Sequence, residues 1–238
     1  MPDFEGSFTK ENLDACLMAL AKEYRRIAGR GMPAEIVLVG GAAVLTGYGF
    51  RAMTSDVDAL IRAASTIKEA INTVGDQLGL PNGWINADFQ RTASFSPKLA
   101  EHSKYYKTFC GVLEVRTIEA EYLIAMKLRS GRQFKNDLSD VIGILAEHEK
   151  RGIPITMDAL DRAVQNLYGG WDGFPPHAHG FIESALQRGN YEELYAQARA
   201  TESRAAEALL DFEKANPGLT REDNVDEIIQ SLSGMDMG

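Results

Sequence analysis

The sequence predicts an α+β (α/β) fold in which helices flank a small mixed sheet and a helical extension follows. In the first part of the chain, short β-branched and apolar runs such as residues 36–39 alternate with stretches of helical period. Beyond residue 150 the periodic stretches are all helical. A chain of 238 residues can bury a substantial core. We therefore predict a mixed domain over residues 1–150 and a helical extension over residues 151–238.

The composition indicates a cytoplasmic protein with a net charge of −9. Its two cysteines, Cys16 and Cys110, are far apart and lack metal-ligand spacing, which is typical of a reduced cytosolic chain. The N-terminal residues include acidic side chains and no apolar run of signal-peptide length. No stretch approaches the roughly eighteen apolar residues that a membrane helix needs. We therefore predict a soluble protein with no membrane partner.

The first elements lead to a glycine turn. Apolar residues at helical spacing predict a packing helix over residues 8–28, for which Thr9 is an available cap. The run at residues 36–39 has the composition of a buried strand and stops at Gly40 and Gly41, after which small helix formers follow. Because free backbone N–H groups at a helix N-terminus attract anions, this turn predicts an anion site.

Asp56 and Asp58 alternate with Val57 and Ala59 on a second predicted strand. Residues two apart share a face, so we expect both carboxylates on one side and both apolar residues against the core. Two such carboxylates repel unless a cation lies between them. Mg²⁺ is bound through one or two carboxylates together with phosphate oxygens, which predicts a metal beside the glycine turn. The alternative is an exposed strand face next to an ordinary turn.

A glycine turn after one strand and an Asp-x-Asp pair on the next resemble the nucleotidyltransferase superfamily typified by DNA polymerase beta and the aminoglycoside nucleotidyltransferases. Gly40, Gly41, Asp56 and Asp58 match its signature. The resemblance implies a mixed-sheet nucleotidyltransferase core in which Asp56 and Asp58 hold Mg²⁺ and the glycine turn binds the phosphates of an NTP. Gly41 replaces the serine of the Gly-Ser form, and the loop up to Asp56 lacks the arginine-rich pattern of the small antitoxin-type adenylyltransferases.

Two residues are candidates for a third carboxylate at this site. Asp88 follows a predicted helix over residues 65–78 and lies in a loop-like run, where it can equally be a solvated residue. Glu114 lies on a predicted strand over residues 111–118 and shares a face with Arg116. The sequence does not choose between them.

Residues 91–135 are locally basic, with nine Lys and Arg against four Glu. Aromatic residues such as Tyr105 and Tyr106 are interleaved with these cations. Such a segment suits a polyanionic substrate, either an NTP alone or an RNA end. Solvated helix faces produce similar counts, so this alternative stays open.

A second informative stretch covers residues 118–145. Lys127 lies in a mostly apolar helix, and because burial of an unpaired lysine is costly, we expect it to reach solvent or a phosphate. Asp137 and Asp140 open the next helix, where acids also simply stabilise a helix N-terminus. A lysine, an arginine, here Arg132, and then Asp-x-x-Asp resemble the AbiEii-like toxin branch and its uncharacterised relatives. The resemblance implies that Lys127 and Arg132 bind the nucleotide, and that Asp137 or Asp140 positions Lys127 or acts as the base.

Beyond residue 150 helices are predicted over residues 157–167, 181–188, 191–215 and 220–232. From Gly189 onward eleven Asp and Glu stand against four Lys and Arg, a net charge of −7. This acidic tail is a candidate surface for a partner or for the basic segment, although acidic helices are also simply well solvated.

These features predict a Mg²⁺-dependent nucleotidyltransferase that moves an NMP from ATP or another NTP to an acceptor hydroxyl. One or two Mg²⁺ ions are expected at Asp56 and Asp58. Four side chains of the second stretch are expected to meet these carboxylates across one cleft: Lys127, Arg132, Asp137 and Asp140. By resemblance the setting is a bacterial toxin–antitoxin or phage-defence module, with tRNA or a protein as acceptor and a cognate antitoxin as partner. The alternatives are a small-molecule, antibiotic-type nucleotidyltransferase and a non-catalytic nucleotide- or partner-binding module.

Overall fold

A computed structural model describes residues 6–132, 135–221, 224–225, 227–229 and 231. The chain divides into two compact units. One comprises Met1–Met126 with Asp158–Asp172, and the other comprises Lys127–Met157 with Gly173–Gly238. The predicted division into residues 1–150 and 151–238 stays a prediction.

A five-stranded mixed sheet forms the centre of the first unit. Its strands are β1 (Ala34–Leu38), β2 (Val57–Arg62), β3 (Ile85–Asn86), β4 (Ser103–Phe109) and β5 (Leu113–Ile118). They lie in the order β3-β2-β1-β5-β4. β1 is antiparallel to β2 and parallel to β5, whereas β3 is parallel to β2 and β4 is antiparallel to β5. The predicted class, a mixed sheet flanked by helices, is confirmed.

The helices for which both ends are described are α1 (Lys10–Ala28), α2 (Gly40–Gly47), α3 (Ile67–Leu78), α4 (Ala120–Ser130), α5 (Asp137–Lys150), α6 (Met157–Tyr168), α7 (Ala178–Arg188) and α8 (Tyr191–Ala215). Short 3₁₀ helices cover Asp88–Arg91 and Leu99–His102. Within the described residues, no helix is both long enough and apolar enough to cross a membrane.

α1 and α3 pack together against one face of the sheet. The core that joins them is apolar and includes Leu17, Leu20, Ile36, Val57, Ala59, Val74, Leu113 and Val115. α1 begins at Lys10, two residues after its predicted start, and Thr9 caps it in a reciprocal capping box. The Thr9 hydroxyl accepts the Asn12 amide at 3.3 Å, and the Asn12 side-chain oxygen accepts the Thr9 amide at 2.8 Å. Because α1 and α3 cover this face, polar residues of the inner strands lie on the opposite one.

β3 and β4 were not among the predicted strands. β3 has only two residues, too few to produce a pattern. β4 is an edge strand, and its outward side chains, among them Lys104, Tyr105 and Lys107, are exposed. It therefore lacks the apolar alternation that identifies a half-buried strand.

The second unit is helical. α8 has the bounds predicted for it, and α7 begins at Ala178, three residues before its predicted start. The last predicted helix, over residues 220–232, lies partly outside the described residues. Val225 and Ile229, which the structure describes, are helical and buried.

Candidate active site

The predicted glycine turn lies directly after β1. Val39 is extended, and α2 begins at Gly40 with φ +54°, a left-handed conformation that glycine adopts without strain. No side chain caps this helix, and its first turn contains no acidic residue. The first backbone N–H groups of α2 therefore form an end that suits an anion.

Asp58 lies against this turn. The amide of Val39 donates to the Asp58 carbonyl at 3.0 Å, which places β2 beside the end of β1. The Asp58 oxygen Oδ2 lies 3.6 Å from the position that a Cβ at Gly40 would occupy. A carboxylate and an uncapped helix N-terminus are thus adjacent in the first unit.

The alternation predicted around Asp58 is confirmed. Val57 and Ala59 are fully buried against the helices, whereas Asp58 is half-buried and Asp56 is exposed. Asp56 lies one residue before the start of β2. Both carboxylates therefore avoid the apolar core, as their spacing predicts.

Two residues of the loop before Asp56 also reach the turn. A Cβ at Gly41 would lie 2.5 Å from the Thr54 hydroxyl and 2.9 Å from Nη2 of Arg51. Residue 41 must therefore be glycine for these side chains to occupy their places. Sequence reasoning missed both, because a single arginine and a threonine in a loop form no pattern.

The two candidates for a third carboxylate lie in different places. Asn86 of β3 is the register partner of Asp58, and its side-chain oxygen accepts the amide of Asp88 at 2.8 Å. Asp88 is exposed and close in sequence to that partner. Glu114 is instead the register partner of Glu35 on β1. Glu35 lies four residues before Val39, whose amide donates to the carbonyl of Asp58. Four residues of strand span roughly 13 Å, so the register separates Glu114 from Asp58.

The carboxylate pair fits Mg²⁺ in the chemistry of its donors. Within the described ranges, no three His, Cys, Asp or Glu side chains cluster closely enough to hold a metal by themselves. Mg²⁺ does not need such a cage, since it takes one or two carboxylates and completes its coordination with water and substrate phosphates. Asp56 and Asp58, next to an end that suits phosphate, match this mode of binding.

The second predicted group forms a buried charge cluster in the helical unit. The Lys127 ammonium of α4 lies 2.7 Å from Asp137 Oδ1 and 2.7 Å from Asp140 Oδ2. Arg132 Nε lies 3.0 Å from the other oxygen of Asp137. The side chains of Lys127, Asp137 and Asp140 are no more than 6% exposed, whereas that of Arg132 is 34% exposed.

Lys127 does not reach solvent, which is one of the two outcomes that the sequence predicts for it. Two carboxylates lie against the buried ammonium instead. The other predicted outcome, a contact with phosphate, stays a prediction. Burial by itself would raise the pKa of Asp137, but the charges and hydrogen bonds of Lys127 and Arg132 hold that pKa well below its ordinary value. Asp137 is therefore held in its ionised form at neutral pH. The predicted contacts of Lys127 and Arg132 with nucleotide stay predictions.

The N-terminus of α5, which carries these carboxylates, is fixed by α8. Glu202 Oε1 accepts the amides of Leu138 and Ser139, each at 3.0 Å, and Arg199 donates to the side-chain oxygen of Asn136. Burial raises the pKa of Glu202, although the hydrogen bonds from Ser139 and Leu138 oppose this. A cap supplied from a distant helix has no local sequence signal, so sequence reasoning could not find it.

That the second cluster meets Asp56 and Asp58 across one cleft stays a prediction. The third carboxylate, for which Asp88 and Glu114 are the candidates, also stays a prediction, and the register leaves Glu114 far along the sheet from Asp58.

Comparison with curated proteins and with solved structures gives no match. The sequence model of one family, described as nucleotidyltransferase of unknown function (DUF6036), matches residues 15–148. This match covers more than half of the chain and includes the glycine turn, the Asp56 and Asp58 pair and the charge cluster. The chain therefore belongs to the DUF6036 family of nucleotidyltransferases.

Proposed function

We propose that this protein is a Mg²⁺-dependent nucleotidyltransferase that moves an NMP from an NTP to an acceptor hydroxyl. The observation that carries the proposal is the placement of Asp58 Oδ2 beside Gly40, at the uncapped N-terminus of α2. A triphosphate and its metal ion need backbone N–H groups for the phosphates and a carboxylate for the metal, placed side by side. The family match supports the same class of reaction.

In the proposed reaction the amides after Gly40 and Gly41 hold the β- and γ-phosphates. Asp56 and Asp58 hold Mg²⁺, which when bound neutralises developing charge on the phosphate oxygens. The acceptor oxygen forms a bond to the α-phosphorus, the bond to the β-phosphate oxygen breaks, and pyrophosphate leaves. The acceptor hydroxyl loses its proton to water or to a carboxylate. Positioning and charge neutralisation supply most of the rate enhancement.

The residues of the charge cluster have two different roles in the proposed reaction, positioning of Lys127 and contact with the nucleotide. Asp137 and Asp140 hold Lys127 in place, and the low pKa of Asp137 makes it unsuited to accept the acceptor's proton. Arg132, which is partly exposed, is the member best able to contact a nucleotide.

The resemblance to AbiEii-like toxins supports a toxin–antitoxin or phage-defence setting, with tRNA or a protein as acceptor. The exposed lysines of β4 add support, since they offer cations to a polyanion. The second candidate is a small-molecule nucleotidyltransferase. It is favoured by a pocket of about 410 Å³ in the helical unit, lined by residues that include Phe181, Ala185, Leu194 and Ala198.

The test supplies the protein with each labelled NTP, Mg²⁺ and, in turn, total tRNA, cell protein and small acceptors. Labelled tRNA or protein supports the toxin setting, and a labelled small acceptor supports the second candidate. Asp58→Asn should abolish labelling while the folded fraction, measured by circular dichroism, stays the same. Asp76→Asn, an exposed change on α3, is the matched control. Absence of labelling with every acceptor, or full activity of Asp58→Asn, contradicts the proposal.

A further inference from the structure

The pocket of the helical unit is lined mainly by α7 and α8, which two residues join. Its volume of about 410 Å³ lies within the range of sites that hold small molecules. Ala185 of α7 and Ala198 of α8 line it, and their short side chains leave room between the helices. Phe181 and Leu194 add larger apolar surfaces. The pocket therefore suits a ligand with an apolar body.

One residue of the pocket wall is a buried carboxylate. Glu202 lines the pocket although only 3% of the residue is exposed. Its Oε1 accepts the amides of Leu138 and Ser139, each at 3.0 Å. Its Oε2 has no hydrogen-bond donor within reach among the residues that the structure describes. Because buried carboxylate oxygens are normally paired, this oxygen calls for a partner from outside the chain.

The cations of this unit serve other groups. The lysine and the arginine of the charge cluster pair with carboxylates of α5. Arg199, three residues before Glu202 on α8, donates to the side-chain oxygen of Asn136. Burial raises the pKa of Glu202, and the negative charge of Asp140 raises it further. Both effects disfavour a negative charge at Glu202, and a cation beside its Oε2 would offset them.

We propose that this pocket binds a small monoamine, whose ammonium group pairs with Oε2 of Glu202 and whose apolar body lies against Phe181 and Leu194. An ammonium group offers donors and a positive charge, which suit an unpaired carboxylate oxygen. The apolar walls suit a ligand with one charged group better than a polyamine. His177 and Arg188 also line the pocket, but both are exposed, so solvent screens their charges.

This inference goes beyond the proposed nucleotidyl transfer and does not depend on it. Residue 202 lies outside residues 15–148, which the family model matches. The site is therefore a feature of the helical unit of this chain, and it is tested by binding and not by transfer activity.

The first test compares three ligands of similar shape and different charge: phenethylamine, phenethyl alcohol and hydrocinnamate. NMR titrations of isotope-labelled protein follow the backbone amides. Phenethylamine should bind about tenfold or more tightly than the other two. It should shift the amide signals of Leu138 and Ser139, which bond to the other oxygen of Glu202. Equal affinity for the three ligands, or no binding of the amine at millimolar concentration, overturns the inference.

Glu202→Gln tests the carboxylate. It keeps an oxygen for the amides of α5 but replaces the charged acceptor with a neutral amide, so the Kd for phenethylamine should rise by about tenfold or more. Glu207→Gln, an exposed change on α8, is the matched control and should bind as the wild type does. An unchanged Kd in Glu202→Gln contradicts the proposed pairing. Self-association in sedimentation velocity that only Glu202→Gln abolishes would assign the pocket to a second copy of the chain and would overturn the inference too.

Ala198→Leu tests the pocket while Glu202 stays intact. The larger side chain takes up space in the pocket and should weaken phenethylamine binding. Ala200→Leu, an exposed change on the same helix, is its control. Wild-type affinity in Ala198→Leu would show that the amine binds elsewhere and would overturn the inference. Wild-type protein that binds the amine but transfers no nucleotide contradicts the proposed function alone.

Discussion

The Asp58 carboxylate lies 3.6 Å from the point where a Cβ at Gly40 would stand. This contact joins two segments that are separated by the whole of α2 and the following loop. It results from the antiparallel pairing of β1 and β2, which sets Asp58 beside the residue that precedes the turn. One substrate can therefore touch both the carboxylate and the first amides of α2.

Gly40→Ala should impair nucleotide transfer more than folding. A left-handed conformation costs an alanine about 1 kcal/mol, and the added methyl group meets Asp58 at an ordinary contact distance. The methyl group stands between the carboxylate and a phosphate, so activity should fall by about tenfold or more. Urea unfolding and labelled-NTP transfer measure the two effects. Equal transfer by Gly40→Ala and Gly47→Ala would contradict this account of the turn.

Lys127→Met should destabilise the protein by about 3–5 kcal/mol, because it removes the ammonium that two buried carboxylates share, although Arg132 still pairs with Asp137. The triple variant Lys127→Met, Asp137→Asn, Asp140→Asn removes these charges together and should recover a large part of the loss. Lys214→Met, which removes an exposed ion pair with Asp211, is the control and should change the free energy of unfolding little. Urea unfolding of the wild type and these three variants measures the free energy of unfolding. A Lys127→Met protein as stable as the wild type would contradict the account of the buried cluster.

Asp137 should make folding sensitive to acid. Its pKa is lowered in the folded state, so the stability it contributes is fully present above the ordinary value of 3.8. That stability should be lost as the pH falls below this value toward the folded-state pKa. Asp137→Asn should be less stable near neutral pH and should show a flatter decline in acid. Denaturant unfolding at a series of pH values tests this, and parallel curves for the two proteins would disprove it.

Glu202 should make the folded state less stable as the pH rises, which is the opposite of the effect of Asp137. Its pKa is raised in the folded state, so ionisation opposes folding as the pH rises from the ordinary value of 4.5 through the folded-state pKa. Glu202→Gln keeps an oxygen for the amides of α5 and cannot ionise, so it should match or exceed the wild-type stability near neutral pH. Glu202→Ala removes the cap and should cost about 1 kcal/mol. Thermal or urea unfolding at two pH values separates the variants, and equal losses in both would argue against the raised pKa.

Local periodicity predicted most of the scaffold. The capped start of α1, the apolar face of α3, the bounds of α8, and the alternation of Val57, Asp58 and Ala59 all depend on neighbours in the chain. Such features leave a repeating pattern that can be read without tertiary structure.

The remainder depends on contacts between distant segments. Glu202 caps a helix that begins 65 residues earlier, and Phe8 pairs with Thr54 in a loop. Lys127 shows the same limit, because the sequence places it in an apolar helix but does not reveal that Asp137 and Asp140 pair with its buried ammonium. The position of Arg51 could not be predicted from the sequence, because it depends on the space that Gly41 leaves beside the turn.

The two edge strands of the sheet also discourage pairing with the edge strands of other copies of the protein. One edge in the part of the chain that the structure describes is β3, which at two residues offers little backbone for a further strand. The other is β4, which bears exposed Lys104 and Lys107 and has an irregular register between Tyr105 and Lys107. Short edges, lysines and bulges all discourage edge-to-edge aggregation. The cations that suggested a polyanion surface therefore also help to keep separate copies of the chain from polymerising through their sheets.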